Sequence, residues 1–413
     1  MRARPRLIER IHMSTVANSI PFAAPDITSR EIDSVVETLQ SGWLTSGKRT
    51  AEFERKVCEY TGAANALAVN SCTAALHLAL AALNIGPGDD VITTPLTFCA
   101  TVNTILHVGA RPVLADIGDD FNISPERIRR AITPRTRAIM PVHLAGLPCD
   151  MDAIHAIARE HGLRVIEDAA HAIGAEYRGV PIGGGLSDAV AFSFYATKNL
   201  CTGEGGMVVT PSQSLYEKIR ILCLHGISRD AWDRYSEKGS WSYEVTECGF
   251  KYNMSDVLSA IGIEQLARLD QMNARRAEIA QQYNQAFREI AETEVPPDRT
   301  GSRHAWHLYI LRLNLDRLSI DRARFIEEMR ERGVGCSVHF IPIPLHPYYR
   351  GVLDLEDPCR RALAEYPRLI SLPLYSRMTD ADVMQVIEAV EDIVSRFRKA
   401  ESVSLSGVRT CNA

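Results

Sequence analysis

Leu163-Arg164-Val165-Ile166-Glu167-Asp168-Ala169-Ala170-His171 is a short apolar run that ends on two adjacent acids, small residues and a histidine. Too brief for a helix and rich in β-branched residues, its first half reads as a buried strand. Six runs of the same kind lie at 66–69, 91–94, 112–115, 138–142, 189–194 and 207–210. Helical patterns stand between them. Residues 74–83 form an apolar one. Ser124-Pro125-Glu126 puts a cap and a first-turn proline ahead of 127–132, and Asp150 and Asp152 precede 153–160. Such alternation predicts an α/β domain, doubly wound around a mainly parallel sheet with helices on both faces. Folds of this kind bind ligands beyond the carboxyl ends of the strands, and Asp168 stands at one of those ends.

The pattern changes after about Met254. Met254, Leu258, Ile261, Leu266 and Leu269 share helical spacing, which predicts one long helix reaching Phe287. Beyond it, 306–313 and 337–341 alternate as strands, while 322–332 and 380–398 are helical. The expected organisation is an N-terminal arm at 1–20, a large domain at 21–253, a linking helix with a smaller α+β C-terminal domain at 254–398, and a tail at 399–413.

Composition narrows the function. With 46 Lys+Arg against 51 Asp+Glu the net charge is −5, and 46% of the 413 residues are hydrophobic. That excludes a generally disordered chain and the basic field of a nucleic-acid or membrane-surface protein. No apolar run approaches the roughly 20 residues of a membrane span. Ten scattered cysteines without a C-x-x-C pair read as reduced cytoplasmic thiols, not as a disulfide framework or a zinc site. Arg2, Arg4, Arg6 and Arg10 have no apolar segment behind them, so the start does not read as a secretory signal.

Two glycine motifs mislead. Gly42-Trp43-Leu44-Thr45-Ser46-Gly47-Lys48 has P-loop spacing, but Arg49 replaces the Ser or Thr that would hold Mg²⁺, and a helix precedes it where a strand is required. Gly183-Gly184-Gly185 opens no helix and matches no dinucleotide fingerprint.

Three strand ends carry chemistry. Asn70-Ser71-Cys72-Thr73 lies between a strand and a helix, where free N–H groups and the helix dipole favour a phosphate; its ordinary role would be capping. Glu167-Asp168 with His171 directly follows the 163–166 run; no further cluster with ligand spacing makes it a metal site. Ser193-Phe194-Tyr195-Ala196-Thr197-Lys198-Asn199, leading into Gly203-Glu204-Gly205-Gly206, sets a lone lysine after an apolar strand. Its ordinary reading is a solvated loop lysine, yet burial would lower its pKa towards nucleophilic use. A phosphate cradle, an acid and a lysine on one sheet edge are what pyridoxal 5′-phosphate requires: lysine for the Schiff base, acid for the pyridine nitrogen, helix terminus for the phosphate. Phe98, after the 91–94 strand, is a candidate to stack on the ring, or else a core aromatic.

With these pieces and the 249–254 segment, the chain from about Pro21 to Arg398 resembles the DegT/DnrJ/EryC1/StrS family of pyridoxal-phosphate-dependent sugar aminotransferases. The resemblance implies fold type I and a homodimer with shared active sites. It implies that Lys198 binds the cofactor and shuttles a proton, that Asp168 pairs with the pyridine nitrogen, that Phe98 stacks on the ring and that His171 lies on its other side. Cys72, Thr73 and Ser193 would hold the phosphate, with an amide from the partner's 249–254 loop. Family members often read G-Y-N-Y-R-M there; this chain reads Gly249-Phe250-Lys251-Tyr252-Asn253-Met254, so Asn253, or failing it Lys251, takes that role. Members that dehydrate sugars carry His at the lysine position, so Lys198 points to transamination: glutamate loads the cofactor as pyridoxamine 5′-phosphate, which aminates a nucleotide-diphosphate keto-sugar. The 250–253 segment, with His304-Ala305-Trp306-His307-Leu308 and Val338-His339-Phe340, looks most like enzymes of UDP-4-amino-sugar synthesis, the 4-amino-4-deoxy-arabinose type included. Thr45, Lys251, His339 and His346 are the candidates for the substrate mouth. The alternatives are C3 amination of a dTDP-3-keto-deoxysugar and a non-catalytic sensor that keeps the cofactor pocket.

Overall fold

The structure, a computed structural model, describes residues 19–227, 243–353 and 358–400. Most of the expected arm and tail therefore lies outside the described residues. Each predicted run of the first domain forms a strand within two residues of its expected limits: β1 Asn65–Val69, β2 Asp90–Thr93, β3 Arg111–Leu114, β4 Thr136–Met140, β5 Arg164–Asp168, β6 Ala189–Ser193 and β7 Gly206–Thr210. They make one sheet in the order β1-β7-β6-β5-β4-β2-β3. Strands β2 to β6 pair in parallel, so they share one carboxyl edge. Strand β7 runs antiparallel between β1 and β6. The chain between Ser193 and Gly206 contains no helix, and without a crossover the next strand can only return antiparallel.

Helices cover both faces because the central strands are apolar on both. Leu76, Leu78 and Leu80 of the helix Cys72–Ala82 pack on Ile166, Ala189 and Val208. On the opposite face Phe53, Leu269 and Met272 meet Phe192 and Met207, while Ile154 and Ile157 cover Val165. The long helix runs Asp256–Phe287 with Ser255 as its cap. Its first half serves the core of the large sheet, and Ile279, Tyr283 and Phe287 fill the core of the C-terminal unit. That unit has a three-stranded antiparallel sheet of Thr293–Glu294, Tyr309–Leu313 and Leu369–Leu372, with helices Arg322–Glu331 and Asp380–Phe397 packed on it.

Two predicted strands need correction. The 306–313 run pairs only from Tyr309. Before it, Trp306 has φ +49°, and the N–H groups of His307 and Leu308 donate to Ala145 O of the large domain at 2.9 and 3.2 Å. The 337–341 run is not a strand: Ser337 makes one bridge to Ser371, and the chain then turns His339 and Phe340 towards the strand-end cavity. The glycine motif at 42–48 joins two helices, Ser29–Ser41 and Lys48–Thr61, the second of which has no counterpart among the expected elements. A Cβ on Gly47 would strike the Trp43 indole at 2.1 Å, so this glycine serves close packing, not a phosphate. Among the described residues no helix is long and apolar enough to cross a membrane, and no disulfide forms.

Candidate active site

A cavity of about 570 Å³ opens where the strand ends β1, β2, β5 and β6 face the C-terminal unit. Cys72, Thr73, Phe98, Asp168, His171, Ser193, Lys198 and His339 all line it, so the structure brings eight of the predicted site residues together. Ser71 spends its hydroxyl on the helix cap, accepting from Ala74 N–H at 3.1 Å. Thr73 stands in the first turn, where backbone N–H groups have no helical partner. Gly206, which opens β7, lies so close that a Cβ there would sit 2.6 Å from Cys72 N.

Alternation along β5 sorts the two acids to opposite faces. Glu167 is buried against His143, whose Nε2 lies 2.6 Å from its carboxylate; His143 Nδ1 accepts from Cys149 N–H, so the proton on Nε2 is the one shared. That contact holds the Glu167 carboxyl low despite its burial. Asp168 faces the cavity. Thr101 donates to it at 2.7 Å, Thr97 in turn lies 2.8 Å from the Thr101 hydroxyl, and Ala170 N–H donates at 3.2 Å. Burial pushes Asp168 up; the donors and Lys198 oppose the rise. Two direct donors, Thr101 and Ala170, thus fix the carboxylate, with Thr97 behind Thr101.

Lys198 ends a turn closed by its own N–H on Tyr195 O at 2.9 Å. Burial lowers its amine to about 8. His171 accepts at Nδ1 from Ala145 N–H at 3.2 Å, which leaves its hydrogen on Nε2; burial keeps the ring neutral, well below the usual histidine range. Phe340 stacks on it, with ring centroids 5.7 Å apart. Phe98 caps the helix Cys99–His107, is 58% exposed and approaches Phe340 at 5.8 Å, so it belongs to the rim and not to the core.

Four predicted residues do not line the cavity of their own chain: Thr45, Lys251, Asn253 and His346. Thr45 O accepts from Asp256 N–H; Asn253 bonds Lys251 and the Ser46 hydroxyl. His346 is tied to Ile341 O at 3.2 Å, within its own proline-broken segment. Conversely, the cavity gains Thr97, Phe22, Tyr195 and His307, for which the sequence reading had no role. Below it, Arg276 donates to the carbonyls of Trp306, His307 and Leu374 at 3.4, 3.4 and 2.7 Å.

The donor set fits pyridoxal phosphate. A helix terminus with the hydroxyls of Thr73 and Ser193 suits a phosphate, a fixed buried carboxylate suits a ring N–H, and a low-pKa amine suits an aldehyde. Such a site on such a sheet defines the class: a pyridoxal-phosphate-dependent transferase with the aminotransferase fold. The model of the DegT/DnrJ/EryC1/StrS aminotransferase family matches residues 25–391. The spore coat polysaccharide biosynthesis protein SpsC of Bacillus subtilis is 52% identical over 380 residues, covering 91% of this chain and 97% of SpsC. Spr1654 of Streptococcus pneumoniae, to which sugar aminotransferase activity is attributed, superposes in its PMP form with a TM-score of 0.86 at 34% identity, over 91% of this chain and 99% of that one; a PLP form is also solved. PseC of Helicobacter pylori, an aminotransferase involved in the biosynthesis of pseudoaminic acid, gives 0.85 at 29% identity over 92% and 100%. The chain belongs to the DegT/DnrJ/EryC1/StrS aminotransferase family.

Proposed function

We propose that this enzyme moves the amino group of L-glutamate to C4 of a nucleotide-linked 4-keto sugar, in the synthesis of an amino sugar for a polysaccharide. The observation that carries the reading is one cavity in which a low-pKa lysine and a fixed buried acid meet the N-terminus of the helix Cys72–Ala82. SpsC's place in polysaccharide biosynthesis supports a sugar acceptor. The character of 250–253, 304–308 and 338–340 favours C4.

Bound there, pyridoxal phosphate supplies a ring that takes up the electron pair left when a proton departs from the donor amino acid. The protein does the rest. Lys198 takes the proton and returns it, which its position and lowered pKa allow. Asp168 would keep a negative charge for the ring nitrogen, and His171 would have its Nε2 hydrogen to offer the ring. Cys72, Thr73 and Ser193 would hold the phosphate. Lys198 is the one lysine or arginine lining the cavity among the described residues, so further charge must come from outside this chain's own lining. A second copy fits that need: its Lys251 would bring the charge, and its Asn253 a neutral amide donor. The apolar residues Ile32, Val36, Leu39, Trp43 and Leu44, all at least 40% exposed, offer it a surface to cover. Unpaired thiols at several exposed or half-buried positions agree with a cytoplasmic setting.

A panel of UDP- and dTDP-linked 3-keto and 4-keto sugars with glutamate, products located by NMR, tests the reading; the expected product is the 4-amino sugar. Amination solely at C3 overturns the position. Cofactor binding without turnover on any member makes the protein a sensor.

The threonine relay yields a second expectation. Thr101→Val keeps the shape but removes a hydrogen bond to a charged group, worth ~1.5–3 kcal/mol, so the glutamate half-reaction slows by ~10-fold or more. Stopped-flow kinetics reads this directly, and an unchanged rate would show that Asp168 needs no such donor.

A further inference from the structure

His307 holds a tautomer that its surroundings determine completely. Asn273 Nδ2 donates to Ile173 O at 3.3 Å, which turns its Oδ1 to Asn199. Asn199 Nδ2 donates to that oxygen at 2.7 Å and to Ala305 O at 2.6 Å. Flipping Asn199 would face oxygen to oxygen at Ala305, so its Oδ1 must point at His307 Nδ1, 3.2 Å away. An amide oxygen only accepts; the imidazole hydrogen therefore sits on Nδ1. The bare Nε2 lone pair lies 3.4 Å from Lys198 Nζ. The backbone around the ring is held as firmly, through Ala145 O on one side and Arg276 on the other.

We propose that His307 is a positioning residue for Lys198: its Nε2 lone pair accepts a hydrogen bond from the amine and keeps it aimed into the cavity whenever that amine is free. The inference rests on the reading of Lys198 as the reacting amine. Burial and the charge of Lys198 hold His307 well below the usual histidine range, so the lone pair stays available at neutral pH. The ionisable groups facing it are Lys198, His171, Arg276 and His339, while Lys198 also faces Cys72 and Asp168. None of the partners of His307 is a carboxylate that would draw the ring towards the cation.

The test uses the full-length holoenzyme in its pyridoxamine-phosphate form, where the lysine is free. Competitive acetylation across a pH series, with Lys198 followed by peptide mass spectrometry, gives the midpoint of the amine. In His307→Phe the ammonium loses an acceptor in a buried site, and the midpoint falls by about one pH unit or more. His307→Gln, which restores an acceptor at similar reach, brings it back towards the wild-type value. A midpoint unmoved in His307→Phe overturns the proposal; a purely structural role lowers thermal stability in both variants and leaves the midpoint alone. Should His307→Phe fail to fold, neutron diffraction of the wild-type protein decides: deuterium on Nδ1 supports the proposal and deuterium on Nε2 overturns it. Borohydride reduction of the pyridoxal form separates the two failures. No label on Lys198 sinks the reading of the lysine, whereas label with an unmoved midpoint sinks only the role of His307.

Discussion

Lys198→Ala loses amino transfer, with the glutamate half-reaction slowed by at least ~10³-fold, since a positioned acid–base group contributes ~10²–10⁴-fold and no neighbour replaces it. The nearby imidazoles offer no substitute. His171 carries its hydrogen on Nε2; His307 has a bare Nε2, but burial holds it well below the usual histidine range, and burial lowers His339 to about 4, so each is a far weaker base than the amine. The wild-type rate should also climb as pH rises through about 8, because the neutral amine is the form that accepts a proton and burial has lowered its pKa to that range. The alanine variant loses this rising limb along with the rate. Added methylamine, small enough for the vacated space, should restore part of it. Stopped-flow kinetics over pH 6–10 checks all three, and a variant within tenfold of wild type would remove Lys198 from the chemistry.

The second large effect is expected at Asp168. Asp168→Asn preserves size and can still accept from Thr101, so the change is one of charge alone. Without a carboxylate the ring nitrogen has no reason to keep its proton, and the site loses the preorganised charge that stabilises electron flow into the ring. Removing one such electrostatic partner costs ~10²–10³-fold in rate. Single-turnover kinetics with glutamate, alongside cofactor affinity, reads the loss. A variant within threefold of wild type would show that the ring nitrogen does not lean on this residue.

The large domain was legible because its signals are local. Each strand is short, apolar and bounded by small residues, and Asp168 and Lys198 follow strands directly. What escaped depends on contacts distant in sequence. Thr101 matters because β2 and β5, two strands apart with β4 between them, end on one carboxyl edge, and His307 because Ala145 and Arg276 bend the chain before Tyr309 into the cavity. In 337–341, Ser337 reaches the sheet with one bridge while His339 and Phe340 turn to the cavity, and periodicity alone does not reveal that turn. Thr45, Lys251 and Asn253 share a different difficulty. They sit together around Ser46 and the start of the long helix, outside their own cavity, where one chain gives them no substrate to meet.

Arg276 ties carbonyls from two separate stretches of the C-terminal unit to the long helix, one of them from His307. The floor of the cavity is thereby a single braced plate, in which a change at one residue is felt by several. The rim is built otherwise: Phe98 and Tyr195 are 58% and 48% exposed and carry no comparable bracing. For a lineage exploring new sugars, variation is cheap at the rim and expensive at the floor. Acceptor choice can therefore drift while the amine and its supporting frame stay as they are.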